Sequence, residues 1–205
     1  MKQLILASAS PRRRELLSNI GAVFEIRASE FDERGFIEKQ TELKGNIPPE
    51  QQSTMLALEK ARYVYENTDI TDESVIIGVD TAVVADDIIL GKPHDENDAI
   101  HMLGLLSGKT HKVISGFALI DGKGKTYTDY DVTLVHMREI SEKEARHYVE
   151  TEYVLDKAGA YAIQGKASMF IKGIEGCYFN VVGLPVYKLA EALKNFDIDL
   201  SCGGI

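Results

Sequence analysis

A mixed α/β fold is what this chain predicts, and three observations predict it. Helical and strand patterns alternate along the sequence, but irregularly, so a regular doubly wound sheet is not expected. A hydrophobic fraction of 44% over 205 residues suffices for a core that needs no disulfide or metal staple. No internal repeat, low-complexity tract or long linker divides the chain. Its length suits one domain over residues 1–205, built as a single body or as two lobes around a shared cleft.

The elements follow in order. "QLILAS" reads as a short apolar strand. A helix from Pro11 to about Ile20 comes next, with Ser10 as N-cap, Pro11 at the first position and Leu16, Leu17 and Ile20 facing inward. "VFEIRA" is a second strand, and residues 29 to 47 look irregular and polar. "PPEQQSTMLALEKARYVYEN" is a helix opened by Pro48 or Pro49, with Met55, Leu58, Arg62 and Tyr65 at near-helical spacing. "SVIIGVDTAVV" reads as one or two buried strands with Asp80 ending the first, and Asp86-Asp87 turns the chain into "IIL". "DENDAIHMLGLLSG" is a helix with Ala99, Met102, Leu103 and Leu106 on one face and Gly108 at its end.

"THKVISGFALI" and "TYTDYDVTLVHM" are long strands joined by a hairpin at "DGKGK". "SEKEARHYVE" opens with a capping box, Ser141 with Glu144. "LDKAGAYAIQGKASMFIKGIEG" mixes small residues with a strand and suggests a shaped loop region. The last helix runs from about Leu184 to Asn195, with Val186, Leu189, Ala190 and Leu193 at i, i+3, i+4 and i+7. "DLSCGGI" reads as a loose tail.

Composition excludes several classes. The net charge of −9 argues against sequence-independent binding to long nucleic acid, though not against a small polyanion in a local basic pocket. No apolar run approaches ~18 residues, so no membrane span is expected. The first residues carry one Lys and too short an apolar stretch for a signal peptide. Cys177 and Cys202 lie far apart without metal-ligand spacing. They read as reduced thiols of an intracellular, cytoplasmic protein.

Against that acidic background, "SASPRRRELL" stands out. A helix start is the positive end of the macrodipole, so Arg12, Arg13 and Arg14 there each cost roughly 0.3–1 kcal/mol unless an anion offsets them. Backbone N–H groups at a helix start bind anions, Ser8 and Ser10 add hydroxyls, and arginine forks suit phosphate. The bland alternative is a solvated basic face, and Arg14 fits it best.

"IIGVDT" sets Asp80 at a buried strand's end, where it could bind a metal, deprotonate water or merely cap a turn. In "LGKPHDE", Lys92 is extended before Pro93 and could reach a phosphate or simply sit on a surface loop. In "SEFDER", Asp32 and Glu33 could supply oxygens to a hard cation or be solvated. "GLLSGKT" is no Walker A loop, since only three residues separate Gly104 from Gly108 and the segment ends a helix. The histidines lack zinc-site spacing, and neither GxSxG nor GxGxxG occurs.

Together these stretches resemble a known family. "LILASASPRRRELL", "EKA" at Glu59 to Ala61, "IIGVDT", "GKP", "LSGKTH", "DKAGAYAIQG" and "NVVGLP" occur in the order found in the Maf family. Its members are nucleoside triphosphate pyrophosphatases, also described as septum-formation proteins. The resemblance runs from about residue 4 to residue 195. It implies an elongated mixed sheet with packed helices, two lobes around a central cleft, and kinship with the inosine triphosphate pyrophosphatase fold. It implies cleavage between the α- and β-phosphates, a divalent cation (Mg²⁺ or Mn²⁺), and a homodimer.

By the same resemblance, Asp80 matches the family's proton acceptor, and Ser8, Ser10, Arg13, Lys60 and Lys92 match triphosphate-site positions. Glu33 matches an acidic position near the metal, and the metal is expected on Glu33 and Asp80. Arg12, Thr81 and Gln164 match positions tied to substrate choice. "DKAGAYAIQG" resembles the branch acting on dTTP and UTP. Val79 and Ala162 depart from the usual Ala and Gly, which bears on pocket width. Gln164 can donate and accept, as the edge of uracil or thymine requires. The alternatives are the same chemistry on methylated GTP or inosine nucleotides, and a nucleotide-binding regulator of cell division without catalysis.

Overall fold

The fold is built on a seven-stranded sheet whose order is β2-β1-β3-β5-β6-β7, with β4 paired to β3 off that path. It is described here over residues 2–202 of a computed structural model. The strands are β1 (Gln3–Leu6), β2 (Phe24–Ile26), β3 (Ser74–Ala85), β4 (Ile88–Leu90), β5 (Thr110–Asp121), β6 (Thr126–Met137) and β7 (Ile171–Glu175). The helices are α1 (Pro11–Asn19), α2 (Glu33–Lys44), α3 (Pro49–Asn67), α4 (Glu96–Leu106), α5 (Glu142–Thr151), α6 (Tyr178–Val182) and α7 (Val186–Leu193). The mixed α/β expectation holds: β1 pairs parallel with β2 and β3, whereas β4 on β3 and β7 on β6 are antiparallel. No helix among the described residues is long and apolar enough to cross a membrane.

The chain divides into two compact units. The first comprises residues up to Asp80, Ser115–Asp131 and the chain from Gly183; the second comprises Thr81–Ile114 and Val132–Val182. In the first, Ile5, Ile76, Ala118 and Ile120 from the strands, with Ala7 just past β1, pack with Ala57, Ala61 and Val64 of α3. That contact demands small residues. A Cβ on Gly78 would lie 2.0 Å from the Ala57 carbonyl oxygen, so only glycine lets strand and helix approach so closely. The buried face of α3 is therefore Ser53, Leu56, Ala57, Ala61 and Val64. The expected stripe of Met55, Leu58, Arg62 and Tyr65 is offset from it, because side-chain size misleads where the helix meets a backbone.

In the second unit, Ala99, Met102, Leu103 and Leu106 of α4 are buried as their spacing predicts, against Val113, Val135, Met137, Tyr148 and Phe170. The Ser141–Glu144 capping box forms in full. Asp86 and Asp87 both take positive φ (48° and 62°) and make the two-residue β3–β4 turn. The β5–β6 hairpin closes through Asp121, which accepts from the Lys123 and Lys125 amides.

Other expectations need correction. Residues 29 to 47 are not irregular: α2 occupies most of that stretch, N-capped by Asp32, whose carboxylate accepts from the Gly35 amide. It buries no residue, so it lacks the apolar stripe that would announce it. Ser10 holds the N-cap position of α1, but its side chain makes no cap bond. Asp80 does not end a strand; it lies in the middle of β3. The last helix stops at Leu193, with a 3₁₀ turn to Phe196, and its buried residues are Leu189, Ala192 and Leu193. The expected tail contains a 3₁₀ turn over Leu200–Cys202, and residues 203–205 lie outside the described residues. Cys177 is a free thiol; the Cys202 side chain lies outside the described residues.

Candidate active site

The first unit assembles its charged residues around the point where β1 ends. β1 pairs with Ser74–Ile77, and β4 pairs with Val83–Ala85. Asp80 falls between these stretches, just beyond the end of its parallel neighbour. A mid-strand carboxylate thus meets the same strand-end position that a crevice site uses.

Asp80 is 9% exposed and accepts from Lys60 Nζ at 2.7 Å. Lys60 comes from α3 and also lies 3.0 Å from Glu33 Oε1 at the first position of α2. The Lys60 ammonium therefore touches both carboxylates named as metal-site candidates. A largely buried carboxylate needs a counter-charge, and the lysine provides it.

A second knot lies one residue upstream. Arg13 on α1 donates from Nε to the Gly183 carbonyl at 2.9 Å, and from one terminal nitrogen to Ser8 Oγ and to the Val79 carbonyl, both at 3.0 Å. Ser8 is buried and also accepts from the Ser10 amide at 3.3 Å. Burial lowers the Arg13 pKa from the usual guanidinium value; Asp80 and Glu33 oppose that, and Arg12 adds to it. The arginine-rich helix start thus has anions within its own chain, and its first turn contains no acidic residue.

Ser8, Ser10, Arg13, Glu33, Lys60 and Asp80 are brought together in this unit. Arg12 is half-buried and acts on Arg13 through its charge. Thr81, Lys92 and Gln164 belong to the second unit, where Lys92 and Gln164 are exposed and Thr81 is half-buried. Two of the acceptors that orient Arg13 are backbone carbonyls, which no residue type announces.

The donor set suits a hard cation. Glu33 and Asp80 offer carboxylate oxygens, and one ammonium already contacts both. Among the described residues no cluster of three or more His, Cys, Asp or Glu could hold a metal by itself. A hard cation such as Mg²⁺ takes one or two protein carboxylates and completes its shell with water and substrate phosphates.

The family described as Maf-like protein matches residues 3–196. The chain is 50% identical to the dTTP/UTP pyrophosphatase of Alkaliphilus oremlandii, over 98% of this chain and 100% of that protein. It is 45% identical to the dTTP/UTP pyrophosphatase of Bacillus cereus strain G9842, over 98% of this chain and 99% of that one. Among solved structures, the Ham1 protein of Staphylococcus aureus is similar at 11% identity and a TM-score of 0.42, covering 66% of this chain and 72% of that one.

Proposed function

The chain belongs to the Maf-like family, and from that premise we propose that it hydrolyses dTTP and UTP to the monophosphate and pyrophosphate. The observation that carries this reading is the contact of Asp80, one residue after the Val79 carbonyl that accepts from Arg13, with Lys60, which also reaches Glu33. Relatives of near-complete coverage bearing the name dTTP/UTP pyrophosphatase support the choice of bases.

Each side chain has a part. Arg13, with Arg12 beside it, and the amides and hydroxyls of Ser8 and Ser10 at the start of α1 face the phosphate charge. Lys60 orients Asp80 and exchanges one of its carboxylate contacts for a phosphate oxygen. Asp80 takes the proton of the attacking water. The water oxygen bonds to the α-phosphorus, the bond from that phosphorus to the oxygen bridging α and β breaks, and pyrophosphate leaves with the electron pair, the water oxygen staying in the monophosphate. Glu33 and Asp80 would hold the divalent metal, which supplies Lewis-acid polarisation of phosphate oxygens when bound. Thr81, Lys92 and Gln164 are assigned to the substrate on the resemblance, Gln164 to the pyrimidine edge. A homodimer and a cytoplasmic location rest on the same ground.

A panel of nucleoside triphosphates with Mg²⁺, analysed for products, tests the reading. Monophosphate and pyrophosphate from dTTP and UTP are expected, with loss of turnover on chelation and recovery with Mg²⁺. Release of single phosphate overturns the assigned cut, and preference for methylated GTP or inosine nucleotides overturns the assigned bases.

A further inference from the structure

The second unit contains a buried pair outside the charged cluster. His111 on β5 is 2% exposed, and its Nε2 lies 2.7 Å from the Tyr161 hydroxyl. Their rings meet edge to face at 5.5 Å. Among the described residues, His111 Nδ1 has no hydrogen-bond partner. A buried ring nitrogen left unpaired is costly, so packing alone is a poor reason for a histidine here. Burial, with His136 nearby, pushes the His111 pKa down to about 4, and burial raises that of Tyr161. At neutral pH the pair is an uncharged imidazole and a phenol.

Tyr161 lies in the segment that carries Gln164. The segment alternates: Tyr161 and Ile163 are buried and Gln164 is exposed. Its backbone is held at two further points. The Gly159 amide donates to the Gly91 carbonyl at 3.0 Å, beside Lys92. A Cβ on Gly159 would lie 3.0 Å from Val83 Cγ1, so the backbone is pressed against β3 two residues from Thr81. Gly159 and Ala160 both take left-handed φ (65° and 62°), which for alanine is a strained choice that surrounding contacts must enforce. The hydroxyl bond to His111 is the side-chain anchor nearest Gln164 in this set.

We propose that His111, acting through the Tyr161 hydroxyl, is the positioning residue that sets Gln164 for reading the pyrimidine edge. The inference rests on the function proposed above. A side chain that reads hydrogen bonds discriminates only when its backbone is held to about 0.5 Å. Loosening this anchor therefore weakens base binding and leaves the bond-breaking step intact.

The test compares wild type with Tyr161→Phe, which keeps the ring and removes the hydroxyl, and with His111→Leu and His111→Gln. Ser141→Ala is the control, because it weakens the same unit at the α5 cap. Tyr161→Phe is expected to raise KM for UTP about tenfold with kcat within about twofold, the pattern of lost ground-state binding. Preference for UTP over CTP should fall about tenfold. His111→Leu should match it, their combination should be no worse than either alone, and His111→Gln should recover part of the preference. Ser141→Ala should leave the preference unchanged. If His111→Leu does not fold, Tyr161→Phe decides. Folded variants whose UTP-to-CTP preference stays within twofold of wild type overturn this inference alone. A wild-type chain that turns over neither UTP nor dTTP overturns the proposed function and this inference with it.

Discussion

The first unit holds Arg13, Lys60, Glu33 and Asp80 close enough that each charge has an opposite nearby. The second holds His111 and Tyr161 as a neutral pair, deeper and with an unpaired nitrogen. Charges removed from water are tolerated only when matched, so the charged group must be assembled from several elements at once: α1, α2, α3 and β3 all contribute. The neutral pair needs one strand, one loop residue and one bond. The difference teaches where each kind of substitution should register. In the charged group it should appear in turnover, and in the neutral pair in selectivity and in the response to acid.

Asp80→Asn separates the two most sharply. Turnover of dTTP should fall about thousandfold, near 4 kcal/mol in the barrier, while nucleotide binding changes by only a few-fold. An asparagine variant retaining a tenth of wild-type turnover would remove Asp80 from the proton-accepting role.

Acid should act next, through the neutral pair. His111 titrates at about 4 in the fold and at 6.5 when unfolded, so between those values the unfolded chain binds more protons. Stability is complete above pH 6.5, declines as pH falls toward 4, and by then has lost on the order of 3 kcal/mol. Thermal unfolding from pH 7 to 4 should show a steeper decline for wild type than for His111→Gln; equal slopes would contradict the assignment.

The smallest effect belongs to the α5 cap. Ser141→Ala should cost about 1 kcal/mol, or roughly 2–4 °C in Tm, with turnover unchanged. Arg138 and Ser141 hold the Glu144 carboxyl down at about 2. Part of that cap's support should therefore fade as pH drops below 4.5 toward 2, and a Tm difference between wild type and Ser141→Ala that narrows over this range would show it.

Much of this was legible in the sequence because it follows from periodicity or paired side chains. The buried face of α4, the Ser141–Glu144 box and the β5–β6 hairpin are local patterns, and the structure contains them. The set Ser8, Arg13, Lys60, Glu33 and Asp80 was legible through family resemblance, and the structure brings those residues together. What was not legible has physical causes. α2 has no buried stripe to detect, and the inner face of α3 is made of residues chosen for smallness opposite Gly78. Arg13 is aimed in part by the carbonyls of Val79 and Gly183, both distant in sequence and without a side-chain signature.

Of the two carboxylates that touch Lys60, one rides on an element with nothing submerged. Helix α2 keeps its shape through its own ladder, the Asp32 cap and the Arg34–Glu38 pair. Such a helix opens cheaply, so its amides should be among the quickest to exchange with heavy water, and occupancy of Glu33 by a cation should slow them. Cation affinity would then be adjustable by surface residues that change helix propensity alone, leaving the interior unaltered.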